Sequence, residues 1–125
     1  MKPVSQSKLY QHGGIHNGNC FAACLASLLE IPLWMVPPFE DMFGRGHGQW
    51  RERAEEWLDR FFMLRLVRRE GHPVDELPQY YIANGESLRG VHHSVIYTKG
   101  TLVHDPHWEF SGVKSVEWVY SLEPK

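Results

Sequence analysis

The chain has 125 residues, 42% hydrophobic and 22% charged, with a formal charge of −2 when its histidines are neutral, which suits one domain over 1–125 and is too apolar for disorder. The densest basic stretch, Arg65 to Arg69, reads as a strand face rather than a nucleic-acid footprint, and no apolar run approaches the roughly 20 residues of a membrane span. Met1 to Gln11 is polar and lacks the apolar centre of a signal peptide, so a cytoplasmic protein is expected, with neither a nucleic acid nor a membrane as partner.

A Gly-rich approach, Gln11 to Asn19, leads into Cys20-Phe21-Ala22-Ala23-Cys24-Leu25-Ala26-Ser27-Leu28-Leu29-Glu30. That run is rich in helix formers and apolar almost all round, which predicts a buried central helix. Asn19 is its expected N-cap and Pro32 its stop. Residues 31–49 read as loop. A second helix is predicted over about Gln49 to Met63, where Trp50, Ala54, Trp57, Leu58, Phe61 and Phe62 follow helical spacing. The remainder reads as strands: Leu64 to Arg68, Gln79 to Ala83, Val91 to Thr98, Thr101 to His104 and Val116 to Leu122. Lys99-Gly100 predicts a hairpin turn between the third and fourth of these. Helices first and strands later imply an α+β fold, a helix packed on a mostly antiparallel sheet.

Cys20 and Cys24 stand four apart on one predicted helix, a spacing that does not favour a disulfide. Cys20 falls in the first turn, where unpaired amides and the helix dipole favour a thiolate and can support an oxyanion. Core packing is the competing account of both cysteines, and for Cys24, one turn further in, it is preferred. Among eight histidines, His92 and His93 lie on a predicted strand whose alternation puts His93 with Val95 and Tyr97, and His92 with Ser94 and Ile96. One of the two can face the cysteine helix while the other faces away. Asp105 follows the next strand at an Asp-Pro turn, where it serves either its own loop or an imidazole N–H. The short hairpin makes those two strands neighbours, so His93 and Asp105 can lie close.

The order of a cysteine on the first core helix, then a histidine and an aspartate on adjacent strands, resembles the papain-like cysteine peptidase superfamily. His93-Ser94-Val95 is similar to the segment around papain-type catalytic histidines, and Val103-His104-Asp105-Pro106 to the double-glycine leader peptidase domains of bacteriocin exporters. Gly18-Asn19-Cys20 through Leu29, Ile31-Pro32, Val36-Pro37, Phe39, His92 to Val95 and His104 to His107 resemble small papain-like proteins of phages and bacteria. The resemblance covers most of the chain outside about 40–75. It implies a compact papain-like fold and a catalytic triad of Cys20, His93 and Asp105, but no particular substrate. A cysteine hydrolase of this kind is expected to work without cofactor or metal on a peptide or protein. The family's oxyanion glutamine typically stands six residues before the cysteine. Here that position is Gly14, which leaves Gln11 as the candidate, with Asn17 and Asn19 as alternatives. Asn19, His92 and Trp108 are candidate substrate contacts.

Two rival functions compete. His92, His104 and His107 with Asp105 are a candidate zinc set, though their spacing matches no familiar pattern. Alternatively the chain is a catalytically silent binding or inhibitor protein on the same fold, with Trp34, Met35, Phe39, Trp50 and Trp108 as an adhesive surface.

Overall fold

The computed structural model describes residues 1–7, 19–40 and 49–125. Helix α1 (Cys20–Leu29) is buried along its length from Cys20 to Ser27, as an apolar helix should be. Its small residues Ala22, Ala23 and Ala26 let neighbouring elements approach closely. The helix stops at Glu30, which adopts a left-handed conformation (φ 58°), while the Ile31 N–H returns to the Ala26 carbonyl at 3.0 Å. This closure satisfies carbonyls that the helix end would otherwise leave open, so the stop precedes Pro32. Asn19 is not the expected side-chain cap: no cap hydrogen bond forms from its amide.

Helix α2 (Gln49–Phe62) buries Ala54 and Leu58 and sets Trp50, Trp57 and Phe62 against the core. Its charged face carries exposed i,i+3 and i,i+4 ion pairs such as Arg53–Glu56.

Five strands follow: β1 (Leu64–Glu70), β2 (Tyr81–Glu86), β3 (His92–Thr98), β4 (Thr101–His104) and β5 (Trp118–Pro124). They form one sheet in the order β1-β5-β2-β3-β4, with every neighbouring pair antiparallel. The fold is therefore α+β. The β3–β4 turn has positive φ at both Lys99 (48°) and Gly100 (82°), the geometry that matches strand twist in a two-residue hairpin. Strand β2 begins later and runs further than expected, through Asn84-Gly85-Glu86. Those residues are poor strand formers, but β2 is paired on both sides, and pairing overrides propensity. A side chain at Gly85 would collide with the Ser115 carbonyl oxygen, so this position admits only glycine without displacement of the chain.

The sheet separates two clusters. Ile82, Ile96, Tyr120 and Leu66 pack with α1 and α2, while Tyr81, Ala83, Val95 and Val119 pack on the opposite face. The segment from Met1 to Ser7 is stitched along α1: Lys2 N–H donates to the Ser27 carbonyl (3.0 Å), Val4 N–H to Ser27 Oγ (2.9 Å) and Gln6 N–H to the Pro106 carbonyl (3.0 Å). No described helix is long and apolar enough to cross a membrane.

Candidate active site

Cys20 opens α1 and is 4% exposed. Neither cysteine forms a disulfide. His93 lies near the start of β3, and its Nε2–H donates to Asp105 Oδ1 at 2.6 Å. The Cys20 side chain shares a cleft with this imidazole and is close enough to raise its pKa. Because Nε2 is committed to Asp105, Nδ1 is the nitrogen left for the sulfur. Asp105 is held in turn by two backbone donors, His107 N–H to Oδ1 (2.8 Å) and Gly112 N–H to Oδ2 (2.8 Å). The structure thus brings Cys20, His93 and Asp105 together, with His93 hydrogen-bonded to Asp105 and electrostatically coupled to Cys20.

The route of His93 to the sulfur differs from simple alternation. Its strand-mates Val95 and Ile96 belong to opposite faces, with Ile96 on the α1 side. Strict alternation would send His93 with Val95, away from α1. However, β4 pairs with β3 only from Ile96 onward, with a register irregularity at Ile96/Tyr97. The start of β3 is therefore free of a β4 neighbour, and the ring can reach across that edge to both the helix and the chain leaving β4.

Electrostatics separate the two thiols. Burial pulls the His93 imidazole down, but the hydrogen bonds to Asp105 and Cys20 and their charges outweigh it, so its pKa rises from 6.5 to about 9. Burial raises Asp105, but the His93 hydrogen bond, the His93 charge and the two backbone donors more than reverse this and hold it below its ordinary value. Cys24 is pushed well up, by burial first and then by the negative charges at Cys20, Asp105 and Glu40. It is an inert core thiol.

An acidic neighbour was not foreseen. Glu40 is 3% exposed, and its Oε2 lies 3.9 Å from Cys20 Sγ, accepting the S–H. A lone glutamate in a predicted loop carries no periodicity or motif that would have marked it. Its negative charge opposes the thiolate that the helix terminus and His93 favour. Glu40→Gln is expected to speed iodoacetamide alkylation of Cys20 at about pH 6 by roughly tenfold. An unchanged or slower rate, read by mass spectrometry of the Cys20 peptide, would remove Glu40 from the electrostatics of the sulfur.

Cys20, Glu40 and His93 line a cleft of about 430 Å³ between α1, the first turn of α2 and the sheet. His92 also lines it, with its ring 60% exposed, 3.7 Å from Glu117 and 5.6 Å from Trp118 between ring centres. Trp108 does not reach it: the indole is 77% exposed and stacks on His107. Asn19 is 5% exposed, its Oδ1 accepting from Ser7 N–H (3.1 Å) and its Nδ2 donating to Ser7 Oγ (3.0 Å). These bonds make it a tether of the N-terminal segment beside the cysteine. Gln11, like Asn17, lies outside the described residues.

The zinc set does not assemble. His104 Nε2–H donates to the Val4 carbonyl (2.8 Å), and His107 Nδ1 accepts from Glu109 N–H (3.0 Å). Among the described residues no three histidine, cysteine or carboxylate side chains converge as metal ligands. His107 instead walls the site, edge-on to the His93 ring at 6.2 Å, and burial followed by the Arg89 charge lowers its pKa. A neutral His107 adds no second cation beside His93.

Fold and site together define an α+β domain in which Cys20 and His93 line one cleft and Asp105 backs the histidine. No protein-family model matches the chain, and no curated protein or solved structure does either.

Proposed function

We propose that the chain is a papain-like cysteine hydrolase acting on a peptide, isopeptide or related amide in the cytoplasm. The observation that carries this reading is Cys20 and His93 on one cleft, with Asp105 hydrogen-bonded to His93 and the second cysteine's pKa pushed up by burial. His93 Nδ1 takes the Cys20 proton, and the thiolate attacks the amide carbonyl. The first-turn amides of α1 are suitably situated donors to the oxyanion. As the tetrahedral species collapses, the C–N bond breaks and His93 gives its proton to the leaving amine. Water, deprotonated by His93, then cleaves the thioester to release the acid and restore the thiol. Asp105 keeps the imidazole in the tautomer this sequence needs.

A peptide vinyl sulfone tests the proposal. It should form one covalent adduct, on Cys20, and the adduct should vanish in Cys20→Ala. Amide libraries of linear peptides, isopeptides and cell-wall fragments should then show turnover that the same substitution abolishes. Equal, slow modification of Cys20 and Cys24 would overturn the reading. It would favour the silent binding protein instead, for which the exposure of Trp34 (82%) and Trp108 (77%) is the supporting observation.

A further inference from the structure

We infer that the Cys20 cleft selects an acyl donor bearing a carboxylate beside the scissile amide, an acidic peptide, which Arg51 and Arg68 hold. The inference rests on the hydrolase reading and deepens it. The two arginines come from separate elements, α2 and β1, yet line the same cleft as Cys20 and His93.

Arg68 is fixed in advance of any ligand. Its Nε donates to Glu70 Oε1 at 2.8 Å, and its guanidinium lies 4.8 Å from the centre of the Trp118 ring. Glu70 engages the Nε edge of the five-donor fork and Tyr120 also interacts with the guanidinium, which leaves further N–H donors for a planar carboxylate. Arg51 is less satisfied. Its Nε is buried and makes no hydrogen bond among the described residues, and its ion pair with Glu55 is loose at 3.7 Å. With only this distant carboxylate and no hydrogen bond at Nε, the Arg51 guanidinium would gain a closer partner from an entering anion.

The walls strengthen this preference. Phe21, Trp50 and Trp118 line the cleft, and apolar walls weaken the solvent screening of charges between them. The cleft, about 430 Å³, falls within the small-ligand range of about 300–1,000 Å³. Glu40 is its negative group and lies against the sulfur. It therefore repels an acid from the reacting atom and leaves the arginines as the favourable place for a substrate carboxylate.

The test compares three dipeptide vinyl sulfones that differ only in the residue next to the warhead: Glu, Gln or Lys. At low salt the Glu probe should inactivate wild-type protein about tenfold faster than the Gln probe, the worth of one good charge-assisted contact, with the Lys probe slowest. Arg51→Met and Arg68→Met should each pull the Glu-to-Gln ratio toward one. The Gln probe is the internal control in each variant, and thermal unfolding verifies that the variant folds. Equal rates for Glu and Gln in the wild type, or fastest reaction with Lys, would overturn the inference. If iodoacetamide still prefers Cys20 over Cys24 in that case, the hydrolase reading survives and only the substrate class falls. If that preference is absent too, both fall together.

Discussion

His93→Ala is expected to slow iodoacetamide alkylation of Cys20 at about pH 6 by on the order of a hundredfold, while Cys24 stays unreactive in both proteins. The imidazole keeps its proton up to about pH 9, so over the whole neutral range a cation beside the sulfur supports the thiolate. Without it, the buried sulfur faces Glu40 at 3.9 Å and loses the imidazolium that favoured its charge. The same value sets the alkaline limb of turnover. Departure of the amine needs protonated His93, so hydrolysis should decline as pH rises through about 9. Alkylation rates measured from pH 5 to 10 on the Cys20 peptide check the thiolate, and amide turnover over the same range checks the alkaline decline. A pH-rate profile of the variant that superimposes on that of the wild type would exclude His93 as the partner of the sulfur.

Asp105→Ala should be the more damaging change to the fold. The carboxylate is 1% exposed and accepts from three donors: His93 Nε2, His107 N–H and Gly112 N–H. Truncation strands all three in the interior, and the expected loss is on the order of 3–5 kcal/mol. Asp105→Asn retains one acceptor oxygen for His93 and His107 but turns an NH2 toward the Gly112 amide, so about 1–2 kcal/mol is expected. Urea unfolding at pH 7 measures both.

Linkage adds a pH signature. The folded pKa of His93 is raised, from 6.5 to about 9, so the folded state binds this proton more tightly than the unfolded chain. Its contribution is fully present below pH 6.5 and is lost as pH rises through about 9. Wild-type stability should therefore fall across that window by on the order of 3 kcal/mol, and the fall should flatten in Asp105→Asn. The depressed Asp105 pKa describes the same interaction from the acid side. Its contribution is present above the ordinary aspartate range and disappears as pH falls through the lowered folded value. An Asp105→Ala protein as stable as the wild type would mean that the carboxylate orients nothing.

Local chemistry was legible in the chain itself. The apolar run from Cys20 to Leu29 reads as a buried helix because burial on all sides needs no partner pattern. The amphipathic spacing from Trp50 to Phe62 reads as a surface helix, and Lys99-Gly100 as a tight hairpin. These features depend on residues within a few positions of one another. The hairpin also brought His93 and Asp105 within plausible reach, since a two-residue turn leaves little freedom in what pairs with what.

Only the tertiary structure decided the rest. Pairing of β5 between β1 and β2 joins segments some 50 and 35 residues apart, and no local pattern records such a choice. The stitching of residues 1–7 along α1 turned Asn19 from an expected cap into a tether for Ser7. The early end of β4 let His93 leave the face that alternation assigns to it, and chain folding carried Glu40 against the sulfur. Sequence alone determined which residue types could do the chemistry and on which local elements they stand. Their distances, burial and charge balance came from long-range packing, because a side chain's electrostatic environment is set by whatever the fold places beside it, regardless of separation along the chain.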